Sequence, residues 1–169
     1  PMTAQWLMET TAGATKDYLV ATDVGQHQMW AAQYYPLSRP HSFLTSGGLG
    51  AMGFGMGAAI GGMLATGRPA VLFTGDGSFG MNLNELATAV SYQLPLLVIV
   101  LNNHALGMVK QWQELFYDGR CSATLLPHRT VDFAAIAYGF GAQGFRVSTK
   151  EEFQDALRFG TAKRTVTVI

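Results

Sequence analysis

Residues 70–103, AVLFTGDGSFGMNLNELATAVSYQLPLLVIVLNN, decide the fold of this chain. Two apolar β-runs, 70–74 and 96–101, flank a helical pattern that covers about 82–92 and is closed by Pro95. The second run is almost continuously aliphatic, which is typical of a strand buried on both faces of a parallel sheet. The segment therefore predicts two parallel strands joined by a crossover helix.

The same alternation of strand and helix patterns continues on both sides of this segment. Further strands are expected over 18–22, 143–147 and 165–169, with a short apolar run at 42–45. Further helices are expected over about 3–11, 28–34, 108–117 and 132–138, from the glycines near residue 53 to about 65, and after the capping-box pattern Thr149-Lys-Glu-Glu152. We predict an α/β fold, a three-layer sandwich with a mostly parallel central sheet, formed by one domain over residues 1–169.

The composition excludes one class of partner and indicates another. The formal net charge at pH 7 is zero and no basic run is longer than Lys163-Arg164, so the clustered Lys and Arg that nucleic-acid binding requires are missing. Only 13% of the residues are charged, compared with about 25% in an average soluble domain. This low charge predicts that other domains or subunits cover part of the surface.

The single cysteine and one long uncharged stretch indicate the cellular compartment and whether the chain crosses a membrane. Cys121 has no second cysteine to pair with, which is consistent with a reducing, cytoplasmic setting. The stretch 45–67 carries no charge, but Ser46-Gly-Gly-Leu-Gly50 within it is a loop pattern. That loop leaves about 15 residues of helix, too few to span a bilayer. The sequence therefore predicts no membrane partner.

Three predicted strands end in polar signatures. These are Asp23-Val-Gly25, Gly75-Asp-Gly77 and Asn102-Asn103. In parallel α/β sheets ligands bind beyond the carboxyl ends of the strands, so the three ends should converge on one site. A carboxylate at Asp76 and an amide oxygen at Asn103 suit Mg²⁺, which shares its coordination sphere with phosphate oxygens. Either motif alone would be read as a turn without a ligand, but the two together favour a metal site.

The same motif resembles the cofactor fingerprint of thiamine-diphosphate enzymes. Gly75-Asp-Gly-Ser78 is followed by Asn102-Asn103, with 24 residues counted from Ser78 to Leu101, and the intervening helix and strand also match. The resemblance implies three magnesium ligands: Asp76, the side chain of Asn103 and the backbone carbonyl of Ala105. It also implies that Gly77, Ser78 and Leu106 contact the cofactor.

Three further segments resemble one branch of that family, the acetohydroxyacid (acetolactate) synthases. They are 23–30, DVGQHQMW; 46–55, SGGLGAMGFG; and 106–113, LGMVKQWQ. By this resemblance Gln26 and His27 hold the diphosphate. The Gly50 carbonyl accepts from the aminopyrimidine amine, and Met52 lies beneath the cofactor. The residues implied to line the substrate channel are Met108, Val109 and Trp112.

The resemblance implies condensation of two 2-keto acids, pyruvate with pyruvate or 2-ketobutyrate, with loss of CO₂. The implied cofactors are thiamine diphosphate and Mg²⁺. In that family the activating glutamate lies on a pyrimidine-binding domain of the same or a partner subunit, and FAD binds a middle domain. The enzymes are homodimers or homotetramers, which a regulatory subunit can accompany. Neither of those domains is recognisable here, so we expect a fragment of a larger chain, without a catalytic residue of its own and inactive when isolated.

The sequence departs from the family pattern at two places, and three alternative interpretations are open. Gly57 occupies a position that is usually proline, and residues 126–131 differ from the usual asparagine–proline approach to Asp132. The nearest alternative is another thiamine-diphosphate-dependent 2-keto acid decarboxylase or carboligase. Residues 48–53, GLGAMG, also satisfy the GxGxxG of dinucleotide-binding modules, although only a short apolar run precedes them. The third alternative is a catalytically inactive subunit retained for assembly.

Overall fold

A computed structural model describes all residues, 1–169, and contains one six-stranded sheet. Every strand pair is parallel, and the strand order is β2-β1-β3-β4-β6-β5. The bounds are β1 Leu19–Thr22, β2 Phe43–Leu44, β3 Ala70–Gly75, β4 Leu96–Leu101, β5 Gln143–Gly144 and β6 Thr167–Val168. The predicted α/β class is confirmed, and the sheet is parallel throughout.

Eight α-helices cover the two faces of the sheet. Their bounds are α1 Ala4–Ala14, α2 Gln26–Tyr34, α3 Phe54–Thr66, α4 Asp76–Asn82, α5 Leu86–Ser91, α6 Gly107–Phe116, α7 Phe133–Gly139 and α8 Lys150–Lys163. A 3₁₀ turn, Leu83–Glu85, joins α4 to α5. None of these helices combines the length and apolar character that a membrane crossing requires.

The sheet separates two cores because successive side chains of a strand point to opposite faces. On β3, Leu72 points into the core formed with α3, α4, α5 and α7. Its neighbours Val71 and Phe73 point into the core formed with α1, α2 and α8. Full burial of such side chains contributes about 1.5–3 kcal/mol each. Burial on both faces therefore explains why the central strands are continuously apolar.

Helix α3 lies directly on the end of β1 because residue 55 is glycine. A Cβ at Gly55 would stand 2.9 Å from the backbone nitrogen of Asp23 and 2.6 Å from Cδ1 of Leu72. Contacts this short leave no room for a side chain. The close approach fixes the start of α3 beside the carboxyl end of β1.

The strand order creates a topological switch between β1 and β3. The chain passes from β1 to β2 on one side and then returns to place β3 on the other side of β1. Gly75 and Leu101, the last residues of β3 and β4, are in register. The segments that follow them, starting at Asp76 and Asn102, therefore leave the sheet side by side. Ligands of open α/β sheets bind at such a switch point.

Several element boundaries differ from the sequence expectation. Helix α4 begins at Asp76, where the glycines predicted a turn, and α2 begins at Gln26 rather than near residue 28. The strands expected over 143–147 and 165–169 shorten to Gln143–Gly144 and Thr167–Val168. Glycine disfavours a helix by only about 1 kcal/mol, so tertiary packing can override it, as it does at Gly77.

Candidate functional site

Asp76, the first residue of α4, has a buried carboxylate without a hydrogen-bond partner. The residue is 2% exposed, and neither Oδ1 nor Oδ2 is satisfied by the protein. Burial raises the pKa of this carboxyl, while the backbone N–H of Gly77 and the charges of Arg129 and His104 act in the opposite direction. A buried anionic group without partners is costly, so these two oxygens suit a cation that would complete them.

The loop after β4 brings Asn103 and Ala105 to the same edge of the sheet. Asn103 is exposed, and its Oδ1 accepts a 3.1 Å hydrogen bond from the Ala105 N–H. His104 between them has a left-handed φ of 54°, which costs energy in a residue other than glycine. The Ala105 carbonyl accepts none of the hydrogen bonds made in the chain, which leaves it free for a ligand.

His27 lies in the first turn of α2, and its ring is enclosed by two glycines. A Cβ at Gly25 would lie 2.6 Å from Cε1 of the ring, and one at Gly75 would lie 3.2 Å from the same atom. Burial lowers the pKa of His27 to about 4, against a smaller raising effect of the Asp23 backbone. The imidazole is therefore neutral at pH 7. Its buried Nε2 has no partner in the protein, so this nitrogen is available to a ligand.

Three predicted cofactor contacts, Met52, Gly77 and Leu106, are brought together by the fold. A Cβ at Gly77 would lie 2.6 Å from Cδ2 of Leu106 and 3.5 Å from Cε of Met52. The missing side chain at residue 77 therefore lets both apolar side chains reach the start of α4. The three residues come from the turn before α3, from α4 and from the loop before α6.

Gln26 follows the turn that leads from β1 into α2, and Ser78 on α4 contacts that turn. The Ser78 hydroxyl is buried and donates a 3.2 Å hydrogen bond to the Val24 carbonyl. The Gln26 side chain is half-buried, and its Nε2 donates a 3.1 Å hydrogen bond to Oε1 of Gln111 on α6. Both predicted diphosphate contacts are therefore already engaged within the protein.

Gly50 and the predicted channel residues lie nearer the surface. Gly50 is exposed in the turn before α3, with a left-handed φ of 64°. On α6, Met108 is half-buried and Val109 is exposed. Trp112 is 59% exposed and packs against Phe116 with 5.4 Å between ring centroids. The three channel residues thus occupy the helix that follows the Asn103 loop.

The sequence predicted that all three strand ends face one site, but the Asp23 side chain at the end of β1 is bonded within the protein. The residue is 1% exposed, its Oδ1 accepts a 2.8 Å hydrogen bond from the Gly55 N–H, and its Oδ2 accepts a 2.7 Å hydrogen bond from the Thr74 hydroxyl. Both oxygens are satisfied inside the protein. Asp23 therefore joins β1, β3 and α3 and leaves no carboxylate oxygen unpaired.

A cleft of about 850 Å³ adjoins the site at the carboxyl ends of β4 and β6. Its lining includes Asn103, His104 and Arg129 but not Asp76 or His27. The cleft therefore lies beside the unpaired carboxylate and does not contain it. The Arg129 guanidinium packs directly against Gly80, one helical turn after Asp76, which explains its effect on the Asp76 pKa.

The residues at this edge of the sheet fit a magnesium ion that is bound to a diphosphate. Asp76 supplies one unpaired carboxylate, and Asn103 and Ala105 add neutral oxygen atoms. Mg²⁺ is usually held by one or two carboxylates together with phosphate oxygens, so a single acidic ligand is sufficient. The chain holds no cluster of three or more His, Cys, Asp or Glu side chains that would favour a different kind of metal centre.

Sequence reasoning missed two residues at the site. Gln111 contacts Gln26, and its only signal was its place within residues 106–113, next to Trp112. Arg129 comes from the loop before α7, where the sequence departs from the family pattern, and nothing in that pattern indicated its position against α4.

Comparisons with known proteins show which family the chain resembles. The family described as thiamine pyrophosphate enzyme, C-terminal TPP binding domain, matches residues 23–169. The acetolactate synthase large subunit of Haemophilus influenzae is 49% identical over 140 residues, which cover 82% of this chain and 24% of that protein. The isozyme 3 large subunit of Escherichia coli is 47% identical over 155 residues, covering 90% of this chain and 27% of that protein.

Solved structures of two decarboxylases share the fold. The thiamine diphosphate-dependent 4-hydroxybenzoylformate decarboxylase of Rhodococcus jostii gives a TM-score of 0.87 at 29% identity, covering 98% of this chain and 31% of that one. The benzoylformate decarboxylase of Polynucleobacter necessarius gives a TM-score of 0.88 at 25% identity, covering 100% of this chain and 32% of that one.

The chain belongs to the family of C-terminal, thiamine pyrophosphate-binding domains of thiamine pyrophosphate enzymes. Within that family its sequence is similar to acetolactate synthase large subunits, and it spans about a quarter of their length. The expected family and its cofactor, thiamine diphosphate, are confirmed.

Proposed function

We propose that this chain is the diphosphate- and magnesium-binding domain of an acetolactate synthase large subunit. The parent enzyme would condense two 2-keto acids, pyruvate with pyruvate or 2-ketobutyrate, and release CO₂. The observation that carries the proposal is the buried, unpaired carboxylate of Asp76 at the switch point of the sheet, directly after Gly75, which lies close to the neutral ring of His27. The similarity to acetolactate synthase large subunits supports the choice of reaction.

Each group at the site has a role in this proposal. Asp76, Asn103 and the Ala105 carbonyl would hold Mg²⁺, and Gln26, His27, Gly77 and Ser78 would surround the diphosphate. Met52 and Leu106 would support the cofactor, and the Gly50 carbonyl would orient its aminopyrimidine. When bound, thiamine diphosphate supplies the electron sink that decarboxylation of a 2-keto acid requires. Met108, Val109 and Trp112 would shape the channel and discriminate acceptors by size, an effect worth about 1–3 kcal/mol per methylene.

The remaining parts of the enzyme belong to the proposal as well. The activating glutamate would come from a pyrimidine-binding domain of the same or a partner subunit, in a homodimer or homotetramer. FAD would bind a different domain, and a regulatory subunit would be a further partner. The single cysteine, Cys121, is unpaired, which fits a reducing, cytoplasmic setting.

Ligand-induced stabilisation tests the cofactor site directly. We would measure the melting temperature of the chain with Mg²⁺ and thiamine diphosphate, and with Mg²⁺ and NAD⁺, for wild type and Asp76→Ala. A ligand that binds only the folded state stabilises it by about 2.7 kcal/mol at 100 times its dissociation constant. We expect Mg²⁺ with thiamine diphosphate to raise the melting temperature of the wild type and Mg²⁺ with NAD⁺ to leave it unchanged. Neither ligand pair should raise the melting temperature of Asp76→Ala.

Glu151→Ala is the matched control because Glu151 is an exposed acidic residue on α8 whose side chain makes no hydrogen bond. Its response to thiamine diphosphate should equal that of the wild type. A rise with NAD⁺ in place of thiamine diphosphate would favour the dinucleotide alternative. A response in Asp76→Ala equal to that of the wild type would contradict the assignment of the metal site.

A second candidate reaction is decarboxylation of an aromatic 2-keto acid, because both solved structures named above are decarboxylases of that kind. A panel of 2-keto acids, supplied to the enzyme that contains this domain, separates the two reactions. Acetolactate formed from pyruvate supports the proposal, whereas an aldehyde formed from benzoylformate favours the alternative. We expect the isolated chain to form neither product.

A further inference from the structure

Two glutamines join α2 to α6 at the edge of the proposed diphosphate site. Gln26 is the first residue of α2, and Gln111 lies in the second turn of α6, 85 positions later in the chain. Nε2 of Gln26 donates a 3.1 Å hydrogen bond to Oε1 of Gln111, and both side chains are half-buried. This is the one side-chain hydrogen bond that Gln26 makes within the protein.

Glycine at position 107 makes the contact possible. A Cβ at Gly107, the first residue of α6, would collide with Oε1 of Gln26 and would lie 3.0 Å from Nδ2 of Asn103. The Gln26 carboxamide therefore lies over the start of α6, between the proposed metal ligand Asn103 and the anchoring Gln111. The missing side chain at residue 107 leaves room for the Gln26 oxygen, and the hydrogen bond to Gln111 holds the amide there.

The hydrogen bond holds the Gln26 amide in place and leaves part of it available to a ligand. A glutamine side chain carries two N–H donors and one carbonyl acceptor. With one N–H bound to Gln111, the other N–H of Gln26 remains available for an anion. Gln111 makes no other side-chain hydrogen bond, so its amide is available to hold that of Gln26.

We propose that Gln111 is a positioning residue that holds the Gln26 amide at the edge of the proposed diphosphate site, where its second N–H can bind the cofactor diphosphate. This inference rests on the proposed function, since it concerns the same site. Gln111 belongs to the helix that carries Met108, Val109 and Trp112. The contact therefore couples the diphosphate end of the site to the helix assigned to the substrate channel.

A double-mutant cycle tests this role through binding. The dissociation constant of Mg²⁺ with thiamine diphosphate is measured by calorimetry for wild type, Gln26→Met, Gln111→Met and the double variant. Loss of one hydrogen bond to a charged group predicts that Gln26→Met weakens binding about tenfold, and loss of positioning alone predicts about fivefold for Gln111→Met. The double variant should bind no more weakly than Gln26→Met, because Gln111 acts only through Gln26.

Two controls separate positioning from a structural defect. Gln33→Met makes the same chemical change on the exposed side of α2, where the glutamine side chain forms no hydrogen bond, and should leave binding unchanged. The urea midpoint without ligand should be the same for Gln111→Met and Gln33→Met. The same cycle with Mg²⁺ and inorganic diphosphate should reproduce the pattern, since Gln26 would face the diphosphate.

The outcomes distinguish this inference from the function on which it rests. Additive losses in the double variant, or unchanged binding by Gln111→Met, would overturn the positioning role while the cofactor site stands. Absence of thiamine diphosphate binding by both wild type and Gln33→Met would overturn the proposed function and this inference together.

Discussion

The carboxylate of Asp23 accepts a 2.7 Å hydrogen bond from the hydroxyl of Thr74, which ties the ends of the neighbouring strands β1 and β3 together. The other carboxylate oxygen accepts from the Gly55 N–H at the start of α3. Three elements thus meet on one buried side chain directly beneath the loops of the proposed cofactor site. The rigidity of the site depends on a residue that keeps no oxygen free for a ligand.

Asp23→Ala should therefore destabilise the chain strongly. The change leaves the buried Gly55 N–H without a partner, which costs about 1–3 kcal/mol, and leaves the Thr74 hydroxyl with only a 3.3 Å contact to the Gly75 carbonyl. We therefore expect a loss of about 2–4 kcal/mol in the free energy of unfolding. Urea denaturation measures it. Asp17→Ala removes an equally charged but exposed residue that pairs with Arg39, and should cost less than about 1 kcal/mol. Equal losses in the two variants would contradict the structural role of Asp23.

His27 should make the stability of the chain depend on pH. Its pKa falls from 6.5 to about 4 on folding, so the unfolded chain binds more protons than the folded chain between those values. Stability is therefore full above pH 6.5 and decreases as the pH falls toward 4, by about 3 kcal/mol in total.

Urea unfolding of wild type and His27→Gln at pH 7.5, 5.5 and 4.5 checks this prediction. The variant should lose clearly less stability over the range than the wild type. His41→Gln, at an exposed residue, should keep the slope of the wild type. A slope that is the same in wild type and His27→Gln would assign the pH dependence to other groups.

Two glycines of α3 should respond to alanine in opposite directions. At Gly55 the new Cβ would meet backbone atoms of Thr22 and Asp23 at 2.9 Å, so we expect Gly55→Ala to cost about 3 kcal/mol or more. At Gly57 nothing lies within 4 Å of the new Cβ, and alanine favours a helix by about 0.5–1 kcal/mol relative to glycine. Melting temperatures of the two variants should therefore move in opposite directions, and movement in the same direction would contradict the close packing of α3 on β1.

The sequence was sufficient for those features that depend on local pattern. The aliphatic run of β4 was predicted with its observed bounds, Leu96–Leu101, because burial on both faces leaves a continuous apolar signal. The capping box at Thr149 was also predicted, and both of its hydrogen bonds are present. Both features are determined by residues that are close together in the sequence.

The features that escaped prediction arise from contacts between distant segments. The Gln26–Gln111 pair and the packing of Arg129 on Gly80 join parts of the chain that no local pattern relates. The glycines at 75 and 77 suggested a turn, yet α4 starts at Asp76, since packing beneath Met52 and Leu106 outweighs their weak helix propensity. The proposed ligands could be inferred from the motif, but not that Asp76 would be buried and Asn103 exposed.

That difference in burial leads to the last prediction, which concerns opposite effects of two proposed ligands. The charge of Asp76 is buried without a partner, so Asp76→Asn should raise the melting temperature of the metal-free chain, by about 2–4 °C for each kcal/mol of relieved charge burial. Asn103 is exposed, and its side chain accepts the hydrogen bond from the Ala105 N–H. Asn103→Ala removes this acceptor and should lower the melting temperature of the metal-free chain slightly.

Both variants should reduce the stabilisation produced by Mg²⁺ with thiamine diphosphate, because Asp76→Asn removes the only acidic ligand of the proposed metal and Asn103→Ala removes an amide oxygen. Thermal melts with and without the ligand pair measure both quantities on the same samples. The decisive result is an Asp76→Asn chain that melts at a higher temperature without metal and is no longer stabilised by the cofactor. A residue that destabilises the chain without its ligands and stabilises it with them serves binding and not folding. If Asp76→Asn instead lowers the metal-free melting temperature, Asp76 serves the fold, and the metal assignment would lose its main support.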